Sequence, residues 1–452
     1  MQNYKHIFRL CLLCWYSIMF SQINVKNIEI VRDAYGVPHI FGKTDAETAY
    51  GLAWAHSEDD FKTIQLAYMA GNGLLSKHKG IKAAPIDFLS QVIESQKTSD
   101  SLYHTLHPDF RKVLEGYTEG INRYAKLHPK EILEEDLFPI TPQKIGAYTF
   151  FQLFISNQAD DLMVAIVNDK IPVYKPTINE DVKGSNTLAF NSSKTGEEAT
   201  YLAINTHQPL EGPTSWYEAH LVSEEGTNIL GATFAGAPCI LTGVNENLGW
   251  SHTVNYPDKA DVYSLEMHPQ KKHVYLVDGK EYKLKNKKAH FHMKVLGIPV
   301  KLSKTYYTSI YGPTLKNKTG YFSVRTPTLF NIKAMEQWWR MNKAKSFTEF
   351  YNILKMNALP GYNIGYADKN DTIFYISNGR IPKRNERYDW TQVVPGNTLE
   401  TLWTEYYKTE ELPQVINPKS GFIYNANHSP FKSTDKNENP RADAFSKTMN
   451  YE

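Results

Sequence analysis

The sequence predicts an α+β fold, helical in its first third and β-rich from about residue 185 onward. Three observations predict it. Apolar residues recur at helical spacing in three long stretches before residue 168. After Ser185 the texture changes to short runs that alternate, or are β-branched and aromatic, between Gly, Pro, Asn and Asp. The chain has 452 residues, 41% of them hydrophobic, with no internal repeat or low-complexity tract, which is ample for a large core.

In chain order, residues 1–21 come first. Lys5 and Arg9 precede an apolar run over residues 10–20 that is too short to span a bilayer comfortably. This reads as a secretory signal cleaved near Ser21-Gln22. The expected address is periplasmic or secreted, with no stable membrane association after signal removal. Cys11 and Cys14 leave with the signal, so Cys239 stands alone and no internal disulfide forms. Residues 28–40 read as strand, turn, strand, with Gly36 and Pro38 at the turn. Thr44-Asp45-Ala46-Glu47 is a capping box. The helix it opens carries Leu52, Ala53, Phe61, Ile64 and Tyr68 on one stripe and ends at Gly71-Asn72-Gly73. Residues 108–127 form a second amphipathic helix, and Thr141-Pro142 starts a third stretch reaching about Val167. Strands are expected at 200–205, 217–223, 261–267, 273–277 and 282–295. A helix is expected over 334–354 with Trp338, Trp339 and Met341 inside, then strand over 362–376, broken at 368–371. The net charge of +2 makes no electrostatic case for nucleic acid or anionic membranes. Aromatic content of 13% suits either β-rich core or a large apolar pocket.

The second half is organised around Lys183-Gly184-Ser185-Asn186-Thr187-Leu188-Ala189-Phe190. A Gly-Ser step ahead of a strand is commonly a plain strand entry. Here a hairpin, 186–191 and 200–206 around Lys194-Thr195-Gly196, returns His207 toward the serine. Downstream follow Trp250-Ser251-His252-Thr253-Val254-Asn255 and Asn425-Ala426-Asn427-His428-Ser429-Pro430. Upstream lie Val31-Arg32-Asp33-Ala34-Tyr35-Gly36-Val37-Pro38-His39-Ile40 and Gly51-Leu52-Ala53-Trp54-Ala55-His56-Ser57-Glu58-Asp59. Between them stands Pro213-Thr214-Ser215-Trp216-Tyr217-Glu218-Ala219-His220-Leu221.

That ordered set resembles the penicillin amidase family of N-terminal-nucleophile hydrolases, from about residue 27 to the end. The resemblance implies an αββα sandwich, stacked antiparallel sheets flanked by helices. It also implies a precursor that cuts itself between Gly184 and Ser185. Residues 22–169 would be a mainly helical first subunit, 170–184 a processing spacer, and 185–452 a β-rich second subunit. Two subunits would thus derive from one precursor. Family members generally continue past the point matching Glu452, so the second subunit is expected to be truncated here.

A serine hydroxyl is a weak nucleophile without a base, and no Gly-x-Ser-x-Gly elbow surrounds Ser185. A freed α-amine on Ser185 would supply that base, with a reference pKa of about 7.7–8.0. Gly184 offers no side chain to obstruct attack on its own carbonyl. The resemblance assigns the oxyanion donors to the backbone N–H of Val254 and the side-chain amide of Asn427, with Asn425 the fallback in register. His207 stands where penicillin G acylases carry glutamine. In this it is more similar to acyl-homoserine-lactone, aculeacin and glutaryl-cephalosporin acylases, and its implied role is to orient the amine. Asp258 and Asp261 match a place where some members hold a structural calcium, to which Asp160 and Asp161 could add ligands. Two carboxylates three apart also make an ordinary solvated turn, and calcium wants about six to eight oxygens. His104, His107, His290 and His292 show no zinc spacing with Cys. No cofactor is required.

The expected function is a self-processing acylase that hydrolyses the amide between an acyl chain and an amine through an acyl-enzyme. The substrate is a small N-acyl molecule, an N-acyl homoserine lactone first and a β-lactam second. Two readings come from other classes. One is a truncated, inactive homologue acting only as a binding protein. The other is a sugar-binding β-module, which accounts for the aromatics but not for the order of the motifs.

Overall fold

Thr44 and Glu47 form the reciprocal cap that their spacing announces. Thr44 Oγ1 accepts the Glu47 N–H at 3.1 Å, and Glu47 Oε2 accepts the Thr44 N–H at 3.0 Å. Two orphan donors of the helix start are thereby satisfied. The Asp45–Gly71 helix that follows kinks at Asp60 (φ −154°, ψ 62°) and packs along the Pro108–Leu127 helix. Leu52, Ile64, Tyr68, Tyr117 and Ile121 are fully buried between them and their neighbours.

The computed structural model describes residues 23–171, 184–295 and 298–449. The expected signal at 1–21 and nearly all of the spacer at 170–184 lie outside them. The third helical stretch is two helices, Pro142–Ser156 and Ala159–Val167, separated where Gln158 takes a left-handed conformation (φ 59°). Helices Leu75–Lys79, Ala84–Val92 and Ser95–Leu102 occupy a region that the periodicity left unassigned. The last of these turns only Ser95 and Ser99 inward, so it has no apolar stripe to read. The 334–354 stretch likewise divides into Ala334–Asn342 and Phe347–Leu354. The second starts where Ser346 Oγ accepts the Glu349 N–H at 3.3 Å.

A nine-stranded sheet forms the centre. Its order is Glu29–Arg32, Pro38–Gly42, Tyr217–Ser223, Asn228–Thr233, Thr242–Asn245, Leu248–Thr253, Tyr362–Asp368, Ile373–Asn378 and Gln414–Ile416. All pairings are antiparallel except Pro38–Gly42 beside Tyr217–Ser223. The Asp45–Gly71 helix packs on the Pro38–Gly42 and Tyr217–Ser223 strands. A three-stranded sheet, Phe422–Asn425, Ser185–Phe190 and Tyr201–Thr206, stacks on the middle of the large one. Leu248–Thr253 and Ile373–Asn378 are accordingly buried at every position. The architecture is α+β with stacked antiparallel sheets and helices outside, as expected.

On the outer face of the small sheet Tyr201 is 48% exposed and Tyr424 36%. A separate six-stranded sheet, with the short strands of residues 266–283, holds a satellite core of Tyr263, Tyr275, Tyr311, Trp390 and Trp403. Cys239 is buried and free. Among the described residues no helix is long and apolar enough to cross a membrane.

Candidate active site

Ser185 begins the central strand of the small sheet and is 4% exposed. Its position follows from two registers. On one side Ser185 pairs with Thr206, so the next step brings His207 beside Gly184. The His207 N–H donates to the Gly184 carbonyl at 3.1 Å. On the other side Asn425 pairs with Thr187, and carrying that register two residues on brings Asn427 opposite Ser185. Asn427 leaves the strand in a left-handed conformation (φ 68°), which asparagine tolerates better than most residues. Its Oδ1 accepts the Ser185 N–H at 2.6 Å.

The Gly184–Ser185 peptide is thus gripped on both sides. The Gly184 carbonyl is polarised by a backbone donor and the Ser185 nitrogen is held by a side-chain acceptor. There is little space at Gly184. A Cβ there would sit 2.7 Å from Asn427 Oδ1 and 3.4 Å from His207 Nδ1. His207 Nε2 lies 3.3 Å from Asn186 Nδ2, which donates to it, so the proton belongs on Nδ1, the nitrogen nearer the peptide.

Val254 follows the Leu248–Thr253 strand and lines the same cavity as Ser185. Its carbonyl accepts from Asn427 Nδ2 at 3.1 Å and from Asn363 Nδ2 at 3.0 Å. An amide nitrogen carries two hydrogens, so Asn427 Nδ2 has a second N–H besides the one given to Val254. Asn425 does different work. Its Oδ1 accepts from Thr253 Oγ1 (2.6 Å), Asn363 Nδ2 (3.1 Å) and the Asn427 N–H (2.9 Å). Its Nδ2 donates to the His428 carbonyl at 3.0 Å. Tyr375 Oη donates to Asn363 Oδ1 at 2.8 Å and completes the network. Sequence reasoning missed Asn363 and Tyr375. Their only signal is that buried asparagines and tyrosines demand partners, and that appears only once burial is known.

The cavity beside Ser185 measures about 310 Å³. Trp216, Phe234, Leu241, Met335 and Trp338 form apolar wall, and His252 and Lys259 are buried basic side chains in its lining. His252 Nε2 accepts the Trp338 Nε1–H at 2.8 Å, and burial pushes the imidazole down to about 4, so it is neutral. A larger cavity of about 1230 Å³ lies elsewhere, lined by Asp45, Glu115 and Glu225 among others, and does not include Ser185.

Asp258 and Asp261 do come together, but around Arg384. The guanidinium, 2% exposed, places Nε 3.0 Å from Asp261 Oδ2 and Nη2 3.4 Å from Asp258 Oδ1. Trp403 Nε1 donates to Asp261 Oδ2 at 2.6 Å. Asp261 Oδ2 and Asp258 Oδ1 thus face N–H donors of the chain, while Asp261 Oδ1 is buried without a hydrogen-bond partner among the described residues. Asp160 opens on a different cavity, with Met163 and Phe291. Among the described residues no group of three or more His, Cys, Asp or Glu is placed to hold a metal.

Comparison with known proteins follows the same lines. The chain matches the family described as penicillin amidase over residues 27–451. An acyl-homoserine lactone acylase PvdQ from Pseudomonas fluorescens (strain Pf0-1) is 24% identical over 465 residues, covering 91% of this chain and 60% of the relative. The acyl-homoserine lactone acylase QuiP of Pseudomonas fluorescens (strain Pf-5) is 21% identical, covering 89% of this chain and 56% of its own. The chain therefore spans between half and three fifths of the length of such curated relatives. A solved thermostable penicillin G acylase from Alcaligenes faecalis superposes with a TM-score of 0.47 at 21% identity, over 57% of this chain and 47% of that one.

Proposed function

This chain belongs to the penicillin amidase family, and we propose that it is an exported, self-processing amide hydrolase acting through Ser185. The observation that carries the reading is the grip on one peptide at the mouth of a cavity. Ser185 N is 2.6 Å from Asn427 Oδ1, and the Gly184 carbonyl accepts from His207 N–H at 3.1 Å.

In processing, Ser185 Oγ attacks the Gly184 carbonyl carbon. The His207 N–H stabilises the oxygen as it gains charge. The Gly184–Ser185 C–N bond breaks, its nitrogen takes a proton and becomes the α-amine, and an ester to Oγ remains. Water hydrolyses that ester, leaving a Gly184 carboxylate and a free hydroxyl. The α-amine, held by Asn427 Oδ1 and bordered by the His207 ring, is then the base for catalysis. Oγ attacks the acyl carbonyl of substrate, the Val254 N–H and the free Asn427 N–H receive the oxyanion, the amine leaves, and water releases the acid.

The names of the relatives support an N-acyl homoserine lactone as first substrate, with a β-lactam side chain as the competitor. Residues 1–21 support export to the periplasm or beyond.

The test is expression of the full chain followed by N-terminal sequencing and assay. The expected result is a fragment starting at Ser185, a Ser185→Ala variant that stays one chain, and amine release from N-acyl homoserine lactones. A turning-over protein with an intact Gly184–Ser185 bond would overturn the mechanism. Cleavage without amidase activity would point to an inactive, substrate-binding homologue.

A further inference from the structure

We propose that a groove on the surface is a docking site for the anionic face of a phospholipid bilayer. It lies between the helices Ala84–Val92 and Ala159–Val167 and the hairpin of Lys285–Val295 and Ile298–Thr308. The protein lies on the bilayer through it, without a span. The inference stands apart from the chemistry at Ser185.

The walls of the groove are tied to one another. Gln91 Oε1 accepts the His290 N–H and Gln91 Nε2 donates to the His290 carbonyl, both at 2.7 Å. Ser76 Oγ donates to the His292 carbonyl at 3.2 Å, and Asn317 Nδ2 to the Ile166 carbonyl at 3.2 Å. The space so held measures about 860 Å³. Ile81, Ile86, Val164, Val167 and Leu302 line it, yet each is between 37% and 59% exposed. Ile298, 66% exposed, stands on the same strand as Leu302 and, by the period of two, on the same face. Aliphatic side chains left in water in one contiguous stretch mark a surface that meets something apolar.

Charge decides what that is. The net charge of +2 is an average over the chain and hides a local excess. Residues 77–88 and the two hairpin strands carry nine lysines, and Asp87 is the one carboxylate among them. Asp87 is fully buried, and its oxygens accept the Leu75 and Ser76 N–H groups at 2.8 Å. Lys77 pairs with Asp136, and Lys287 with Glu94. Lys79, Lys82, Lys288 and Lys301 are exposed and have no carboxylate partner among the described residues. Lys304 reaches over the Phe88 ring at 4.7 Å. Against these the third wall sets only Asp160 and Asp161. Nucleic-acid surfaces use arginine forks and exposed aromatic faces for stacking. Here the cations are lysines and the exposed apolar side chains of the groove are aliphatic. Aliphatic groups framed by ammonium groups match an acyl layer beneath anionic headgroups.

The experiment is flotation of the full chain with vesicles of phosphatidylcholine alone and of phosphatidylcholine mixed with phosphatidylglycerol. Binding is expected to be at least about tenfold tighter to the mixed vesicles, and to weaken as salt rises from about 0.1 M to about 0.5 M. The combined Lys79→Gln, Lys82→Gln and Lys301→Gln variant is expected to lose at least about tenfold of that affinity. Ile81→Ser with Leu302→Ser is expected to lose as much, and Lys126→Gln with Lys130→Gln, outside the groove, to lose none. Melting temperatures confirm that the variants fold. Any affinity of residues 1–21 is common to all variants and cancels in the ratios. Equal binding to both vesicles, no binding, or a ratio near one for the lysine or the aliphatic variant would overturn the proposal. Self-association in sedimentation that Ile81→Ser with Leu302→Ser dissolves would also overturn it, with a second copy as occupant. So would salt-sensitive retention on duplex DNA without vesicle binding. Each of these results leaves the reading of Ser185 untouched, because none of them measures amide cleavage.

Discussion

Asn425 and Asn427 sit two residues apart, and the structure divides their labour. The Asn427 amide faces Ser185, whereas Asn425 holds the ends of three strands together through Thr253, Asn363 and His428. Asn427→Ala in processed enzyme is therefore expected to lower kcat by roughly 10²–10³, about 2.7–4 kcal/mol of oxyanion stabilisation. Asn425→Ala is expected to lower the denaturation midpoint instead, because it strands several buried partners. Kinetics and urea melts on both variants separate the roles, and an exchange of the two effects would reverse the assignment. At Gly184 the argument is steric. A methyl group would lie 2.7 Å from Asn427 Oδ1 and must displace the acceptor that holds the Ser185 nitrogen. Gly184→Ala is expected to slow self-cleavage by an order of magnitude or more, read as precursor remaining on a denaturing gel over time. The convergence of Ser185, His207 and Asn427 was legible because motif order and strand register are properties of the chain. Asn363, 178 residues from Ser185 in sequence, was not, because only sheet stacking brings it there.

At the scale of elements, the strand that carries Ser185 is positioned by close contact with the large sheet. Thr187, two residues on, lies against Gly365 so tightly that a Cβ on Gly365 would overlap the Thr187 side chain. Gly365→Ala is expected to cost about 1–3 kcal/mol by overpacking, seen in the denaturation midpoint. It is also expected to slow processing, since the displaced strand takes Ser185 with it. If stability falls but processing keeps its rate, the strand is not what sets the geometry of the serine. The hairpin itself was readable from turn chemistry. Its strands are Ser185–Phe190 and Tyr201–Thr206, joined through Gly196 at φ 73°. Helix breaks were less readable. Gln158 interrupts a continuous apolar period, and nothing in its type announces a left-handed turn.

Buried histidines contribute to the acid sensitivity of the whole molecule. His56 stacks on Tyr217 with ring centroids 3.8 Å apart, and burial pushes it down to about 4, as it does His252. Between pH 6.5 and 4 the unfolded chain binds protons that the folded chain excludes. Each histidine's contribution is therefore complete above pH 6.5 and lost as pH falls, by about 3 kcal/mol at the end of that window. Asp160, raised by burial to about 6, acts with the opposite sign, so the reading must be a difference. Relative to His56→Phe, the wild type is expected to lose about 3 kcal/mol between pH 7 and 4 in urea melts, and parallel curves would contradict it. By itself the sequence determined the α+β class, the long helices, the hairpin that starts at Ser185 and the order of the motifs around it. These depend on local periodicity, caps, turns and register, which neighbours in the chain specify. Only the tertiary structure decided that Asp258 and Asp261 meet Arg384, and that Lys259 lines the serine's cavity. Burial and charge pairing depend on which distant segments pack together, and no local pattern encodes that.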